Sequence, residues 1–264
     1  MKKSKSAAAS KAAESADTSP AQALPLFFSK PAALDSERHA KAGLARSVDL
    51  SFARECNSVP LNAVEFIEAA RCYPIVFTNE AAPVPVAVLA WERKNPFITQ
   101  DNLWREDSYI PAYVRQYPFV LFEAPNSDKL YLCVDEAASN YRAMLSADDA
   151  DAMPFYHEGQ PSETTTRALE FANAFYQHTK ITRNFCDDLK KHKLLSPYNA
   201  TATINGAEQH LNAFLMINET ALNALPDEVF LEFRSKGWLP FIYLSLASAS
   251  NWKHLVEIMR RARA

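Results

Sequence analysis

The sequence predicts an α+β fold: an antiparallel or mixed sheet of short strands packed with several helices, with a helix-rich C-terminal part. Three observations predict it. Short β-branched or aromatic runs recur between turn formers, as at Ile75-Val76-Phe77-Thr78 and Val86-Ala87-Val88-Leu89. Asn205-Gly206 separates two further runs and is a strong hairpin signal. From Ala168 onward apolar residues return at helical spacing, and two further helical patterns follow. At 264 residues, 48% hydrophobic and 22% charged, the chain has the composition of a globular protein and the length of one large domain or two small ones.

Taken in order, residues 1–23 are alanine, serine and lysine with almost no large apolar side chain, so they bury too little to offset their ordering entropy and are expected as a disordered tail. The globular part is expected over 24–264, with the acidic stretch 146–163 a place to divide it into lobes 24–150 and 151–264. Leu24-Pro25-Leu26-Phe27-Phe28 is expected as an edge strand or extended strap. Asn62 with Glu65 opens a helix that must stop before Pro74. Three strands follow at Tyr73–Thr78, Val84–Trp91 and Asn95–Thr99. Pro111 starts a short helix that ends before Pro118, and two strands, Phe119–Glu123 and Lys129–Asp135, flank the turn formers Ala124–Asp128. A long helix runs from about Ala168 to the Lys190-Lys191-His192-Lys193 cluster, whose charge suits a helix C-terminus. After the hairpin, Pro226 opens a helix that Gly237 closes. Trp238–Ala249, apolar but too short to cross a membrane, reads as a buried helix continuing to the C-terminus.

A net charge of −3 supplies no field to hold a polyanion, which argues against nucleic acid as a partner. Four dispersed cysteines form neither a metal motif nor a disulfide framework, so a reducing compartment is expected. No apolar core of a secretory signal follows the first lysines. The expectation is a cytoplasmic protein without a membrane span, with surface association by a non-Sec route as the alternative. The four glycines are isolated, which removes the P-loop and dinucleotide-binding readings, and neither G-x-S-x-G nor H-E-x-x-H occurs. No metal site and no cofactor is expected.

Candidate functional residues fall in two groups. Trp104, Arg105, Tyr109, Tyr113, Arg115 and Tyr117 gather the aromatic and guanidinium side chains most used as binding anchors. Helical spacing also sets Tyr109, Tyr113 and Tyr117 roughly on one face, which core packing explains as well. Asp135-Glu136 ends a strand, where a general base or metal ligand is often presented, although a solvated strand end is the commoner use. His157-Glu158 lacks a second ligand close in sequence, yet His157 is the histidine that distant carboxylates would join.

Several phrases together carry a family resemblance. They are Pro25-Leu26-Phe27-Phe28, Asn57-Ser58-Val59-Pro60-Leu61 with Glu65-Phe66, Tyr73-Pro74-Ile75-Val76-Phe77-Thr78, Tyr109-Ile110-Pro111-Ala112-Tyr113-Val114-Arg115, Leu132-Cys133-Val134-Asp135-Glu136 and Phe155 to Gly159. From about Leu24 to the C-terminus the chain resembles the bacterial SapC family. Ala90-Trp91 departs from the usual pattern, where glycine and a smaller residue stand. The resemblance implies a non-enzymatic accessory or binding protein of a Gram-negative bacterium, tied to the surface layer or to envelope-linked uptake. The partner expected is either a protein of the cell envelope or a small amino-acid-like ligand, and the contact region expected from the residue types themselves is Trp104, Arg105, Tyr109, Tyr113, Arg115, Asp135 and Glu136. The resemblance carries no catalytic residue set. The alternative is an enzyme, or an enzyme's partner, acting on an amino acid or peptide through Asp135, Glu136 and His157.

Overall fold

The computed structural model describes residues 24–46, 49–123, 129–146, 151–204 and 206–262. The expected tail at 1–23, the turn at 124–128 and Asn205 lie outside them.

Elements follow in chain order: β1 (Pro31–Ala33), β2 (Gly43–Leu44), β3 (Ser58–Pro60), α1 (Phe66–Ala69), β4 (Ile75–Thr78), β5 (Pro85–Val88), α2 (Ala112–Arg115), β6 (Phe119–Glu123), β7 (Leu130–Asp135) and β8 (Tyr141–Arg142). Then come β9 (Met153–Pro154), β10 (Tyr156–His157), β11 (Gln160–Pro161), α3 (Glu163–Lys191), β12 (Leu195–Ile204), β13 (Ala207–Ile217), α4 (Glu219–Asn223), α5 (Asp227–Lys236), α6 (Leu239–Ala247) and α7 (Asn251–Arg261). The strands pair antiparallel, in a five-stranded sheet of order β12-β13-β4-β5-β3, the triplets β1-β7-β6 and β8-β2-β9, and the hairpin β10-β11. The α+β class is therefore the observed one.

Local chemistry explains the elements that position the rest. Ile204 faces Ala207 across the expected hairpin, and Gly206 takes the left-handed φ of 79° that its turn requires. Pro197 sits within β12, which a strand at the edge of its sheet tolerates. Ser162 caps α3, its side chain accepting from the Thr165 N–H, so the long helix starts several residues before the apolar periodicity becomes visible. The main core gathers Phe66, Phe77, Phe185, Phe233 and Ile242, joining sheet and helices from both sides of residue 151. A smaller cluster centres on Phe155 with Leu44, Phe119 and Val134.

Three expectations are corrected. Leu24–Phe28 is a turn rather than a strand: Phe28 N–H donates to the Pro25 carbonyl at 3.1 Å, with Phe27 at φ 78°. The strand begins later, at Pro31. Asn95–Thr99 does not pair in the sheet, because Pro96 has no N–H and the Asn95 side chain turns the chain, accepting from Phe97 N–H at 3.0 Å. The C-terminal helix is broken by a 3₁₀ turn at Ser248–Ser250, and α6 buries one face only, leaving Tyr243 50% exposed. At that break Ser248 Oγ accepts from Ile75 N–H at 2.9 Å, and the Asn251 amide donates to the Ala70 and Tyr73 carbonyls. The Ser248 hydroxyl also donates to the Ser245 carbonyl at 2.6 Å, so it ties the end of α6 to β4.

The N-terminal strap is tied down electrostatically. Glu136, its side chain 8% exposed, meets Lys30 Nζ at 2.9 Å, the Arg38 guanidinium, and His39 Nε2 at 3.4 Å. The Lys30 ammonium, seconded by Arg38, holds the Glu136 carboxyl below its ordinary range. A carboxyl depressed by folding stabilises the protein above its unfolded pKa of about 4.3, and that contribution is lost as pH falls through the lower folded value. Glu136→Gln is therefore expected to lower the urea midpoint at pH 6–7 and to converge with wild type in more acidic solution. A gap of constant size down to pH 3 would contradict this.

Candidate functional site

Side chains of the Trp104–Tyr117 segment leave it in different directions. Trp104 enters the core at 5% exposure, its Nε1–H donating to the Tyr73 hydroxyl at 3.0 Å. Arg105 turns to Asp107 at 3.3 Å. Tyr113 donates its hydroxyl to the Leu26 carbonyl at 3.2 Å, and burial pushes its pKa up to about 12.

Tyr109 and Arg115 form a built platform with Glu65, which was read from sequence only as a helix-capping residue. The Glu65 carboxylate, 6% exposed in the fold, accepts from Asn62 N–H at 2.8 Å, Tyr109 O–H at 2.9 Å and Ala112 N–H at 2.6 Å. Burial first, and then the Glu65 charge, push the Tyr109 hydroxyl up to about 12, so it keeps its proton for Glu65 at neutral pH. Its oxygen accepts from Arg115 Nη2 at 3.0 Å, while Arg115 Nε donates to the Ile110 carbonyl at 3.0 Å. The guanidinium carbon lies 5.5 Å from the Tyr109 ring centroid and 5.4 Å from that of Phe171, a sandwich that fixes its plane.

Beside this platform, where α2 and β6 meet β9 and the first turns of α3, lies a cleft of about 520 Å³. Tyr117, whose peptide bond to Pro118 is cis, and Phe171 give it aromatic walls, and Gln116, Arg46, Arg115, Arg167 and His157 give it polar ones. His157 arrives on the β10-β11 hairpin, whose turn places Glu158 at φ 50° and Gly159 at φ 78°, the paired left-handed conformation of a two-residue turn. Arg167 pairs with Glu163 one helical turn away. Among the described residues the charged lining is thus three guanidiniums and one carboxylate, besides His157.

The acidic pair Asp135-Glu136 lies elsewhere. Asp135 is 0% exposed, and its carboxylate accepts from the N–H groups of Ser29, Lys30 and Ala137 at 3.0, 2.7 and 3.1 Å and from the Tyr117 hydroxyl at 3.2 Å. Its lone pairs are occupied by the strap and by its own turn. Neither acid lines the cleft that holds His157. Among the described residues no group of three or more His, Cys, Asp or Glu side chains is placed to hold a metal ion.

A family model for SapC matches residues 34–255. The chain belongs to the SapC family. No curated protein and no solved structure gives a significant match. In this SapC chain the matched span contains every cleft residue, and the Tyr109–Arg115 phrase closes on itself through the Arg115 bonds to Ile110 and Tyr109. The unusual Trp91 is accommodated at 7% exposure against Trp252 of α7, ring centroids 5.1 Å apart. Sequence reasoning missed Glu65 as a member of the platform, and Arg46, Gln116, Arg167 and Phe171 as lining of one cleft. The one signal available was the i, i+4 spacing of Arg167 and Phe171 behind a serine cap.

Proposed function

We propose that this SapC-family protein is a non-enzymatic accessory protein of the Gram-negative cell envelope, serving the surface layer or an envelope-linked uptake system, and that it engages its partner or ligand in the cleft beside Arg115. The observation that carries the reading is the platform itself: a guanidinium held by two hydrogen bonds and two rings, at the lip of a cavity of about 520 Å³, a size typical of ligand sites. The enzyme alternative draws less support. Of its three residues only His157 lines the cleft, while Asp135 and Glu136 are engaged with the strap.

Affinity capture of the tagged protein from its host, at native level and with proteins and small molecules both identified, tests the reading. Surface-layer or outer-membrane receptor components are expected with wild type and at least tenfold depleted with Arg115→Ala, whose head group is exposed and whose thermal midpoint is expected to stay within a few degrees of wild type. Equal recovery with a folded Arg115→Ala removes the proposal.

A further inference from the structure

We infer that the cleft selects a carboxylate next to an amide and a flat apolar side chain, the chemistry shared by an N-acylated aromatic amino acid and the C-terminal residue of a peptide; this rests on the cleft being the binding site proposed above. Three features converge on it. The first is Arg115. A guanidinium has five N–H donors, of which two are used, on Ile110 and Tyr109, so three remain. Among the described residues no carboxylate pairs with it. A planar fork already held in place is suited to bidentate binding of a carboxylate, because little side-chain freedom is left to lose.

The second feature is its neighbour Gln116, which is 5% exposed and lines the same cleft. A carboxamide offers a donor and an acceptor together, which matches the N–H and C=O of an amide. The third is the apolar part of the cleft lining, with Leu44, Phe119, Met153 and Phe171, against which a flat side chain packs. A small inorganic anion would leave both the wall and Gln116 unused. A cationic ligand would meet the guanidiniums of Arg46, Arg115 and Arg167 against the single carboxylate of Glu163, which like-charge repulsion opposes.

Calorimetric titration of the full chain with four probes tests this: N-acetylphenylalanine, its primary amide, the peptide Ala-Ala-Phe, and inorganic phosphate. N-acetylphenylalanine is expected to bind, with the amide and phosphate at least about tenfold weaker, since each loses the charge-assisted pair or the wall. Arg115→Ala is expected to weaken the acid by about tenfold or more. Gln116→Leu is expected to weaken it several-fold while leaving the thermal midpoint within a few degrees of wild type. Tighter binding of Ala-Ala-Phe identifies a peptide end as the source, and tighter binding of the acetylated amino acid a free metabolite. The inference is overturned if the amide or phosphate binds as well as the acid, or if Arg115→Ala and Gln116→Leu both leave the acid unaffected. Loss of acid selectivity with partner capture still dependent on Arg115 removes the carboxylate and keeps the cleft. Acid-selective binding with capture independent of Arg115 does the reverse.

Discussion

Asp135→Ala is expected to cost the fold about 3–5 kcal/mol, the largest effect of any single substitution considered, because it strands several buried donors at once. The Ser29, Lys30 and Ala137 N–H groups and the Tyr117 hydroxyl all lose their acceptor, at a position with 0% exposure. Two of those donors belong to the strap that leads into β1, so the loss is not spread evenly. The strap is expected to detach before the rest unfolds. Chymotryptic cleavage after Phe27 or Phe28 is then accelerated well beyond what global stability predicts, since local opening sets the rate. Asp135→Asn retains one carbonyl oxygen and is expected to recover about half of the loss. Urea midpoints of the three proteins, with the cleavage rates beside them, check both parts. A change below about 1 kcal/mol with no change in cleavage would mean that the donors find other acceptors.

Glu65→Ala is expected to cost about 3 kcal/mol, for the same physical reason at a different place. Asn62 N–H, Tyr109 O–H and Ala112 N–H lose one carboxylate between them, and the short helical segment that begins at Ala63 loses its reciprocal cap. The consequence reaches the cleft. Tyr109 is held by Glu65 and in turn accepts from Arg115, so removal of the carboxylate frees the ring that fixes the guanidinium. N-acetylphenylalanine binding is expected to weaken about threefold at temperatures where the variant remains folded, less than for Arg115→Ala, because Glu65 positions the guanidinium and does not meet the ligand. Glu65→Gln puts an NH₂ group against one of three donors and is expected to fall between the two. Comparing urea midpoints with titrations of the same preparations separates the stability loss from the binding loss. Unchanged binding with the expected loss of stability would show that Tyr109 holds Arg115 without Glu65.

Turn chemistry made much of this fold legible. Gly206 and Gly237 take left-handed conformations at a hairpin and a helix end where no side chain obstructs them, and Pro111 precedes α2 as its N-cap. The misreadings share a cause: composition looked like an element while local hydrogen bonds redirected the backbone. Asn95 did so beside Pro96, Ser248 and Asn251 did so between α6 and α7, and the Pro25 carbonyl closes the turn at Phe28. The site was legible as a phrase and not as a place. Tyr109–Arg115 announced its chemistry, but Arg46 and Arg167 come from separate parts of the chain, and Gln116, though next to Arg115, carries no local signal of its own. Asp135 could not be assigned its duty to the strap from sequence, because its donors at Ser29 and Lys30 lie 106 and 105 residues away.

The most direct test of the cleft as the working site is to fill it. Thr164, on the first turn of α3, lines the cleft, and Thr164→Trp places an indole across it without removing any group that holds Arg115. Wild type and Thr164→Trp, matched for thermal midpoint, are compared in native-level capture from the host. The account predicts that the envelope components recovered with wild type fall at least tenfold with the filled cleft; undiminished recovery by a folded Thr164→Trp would contradict it.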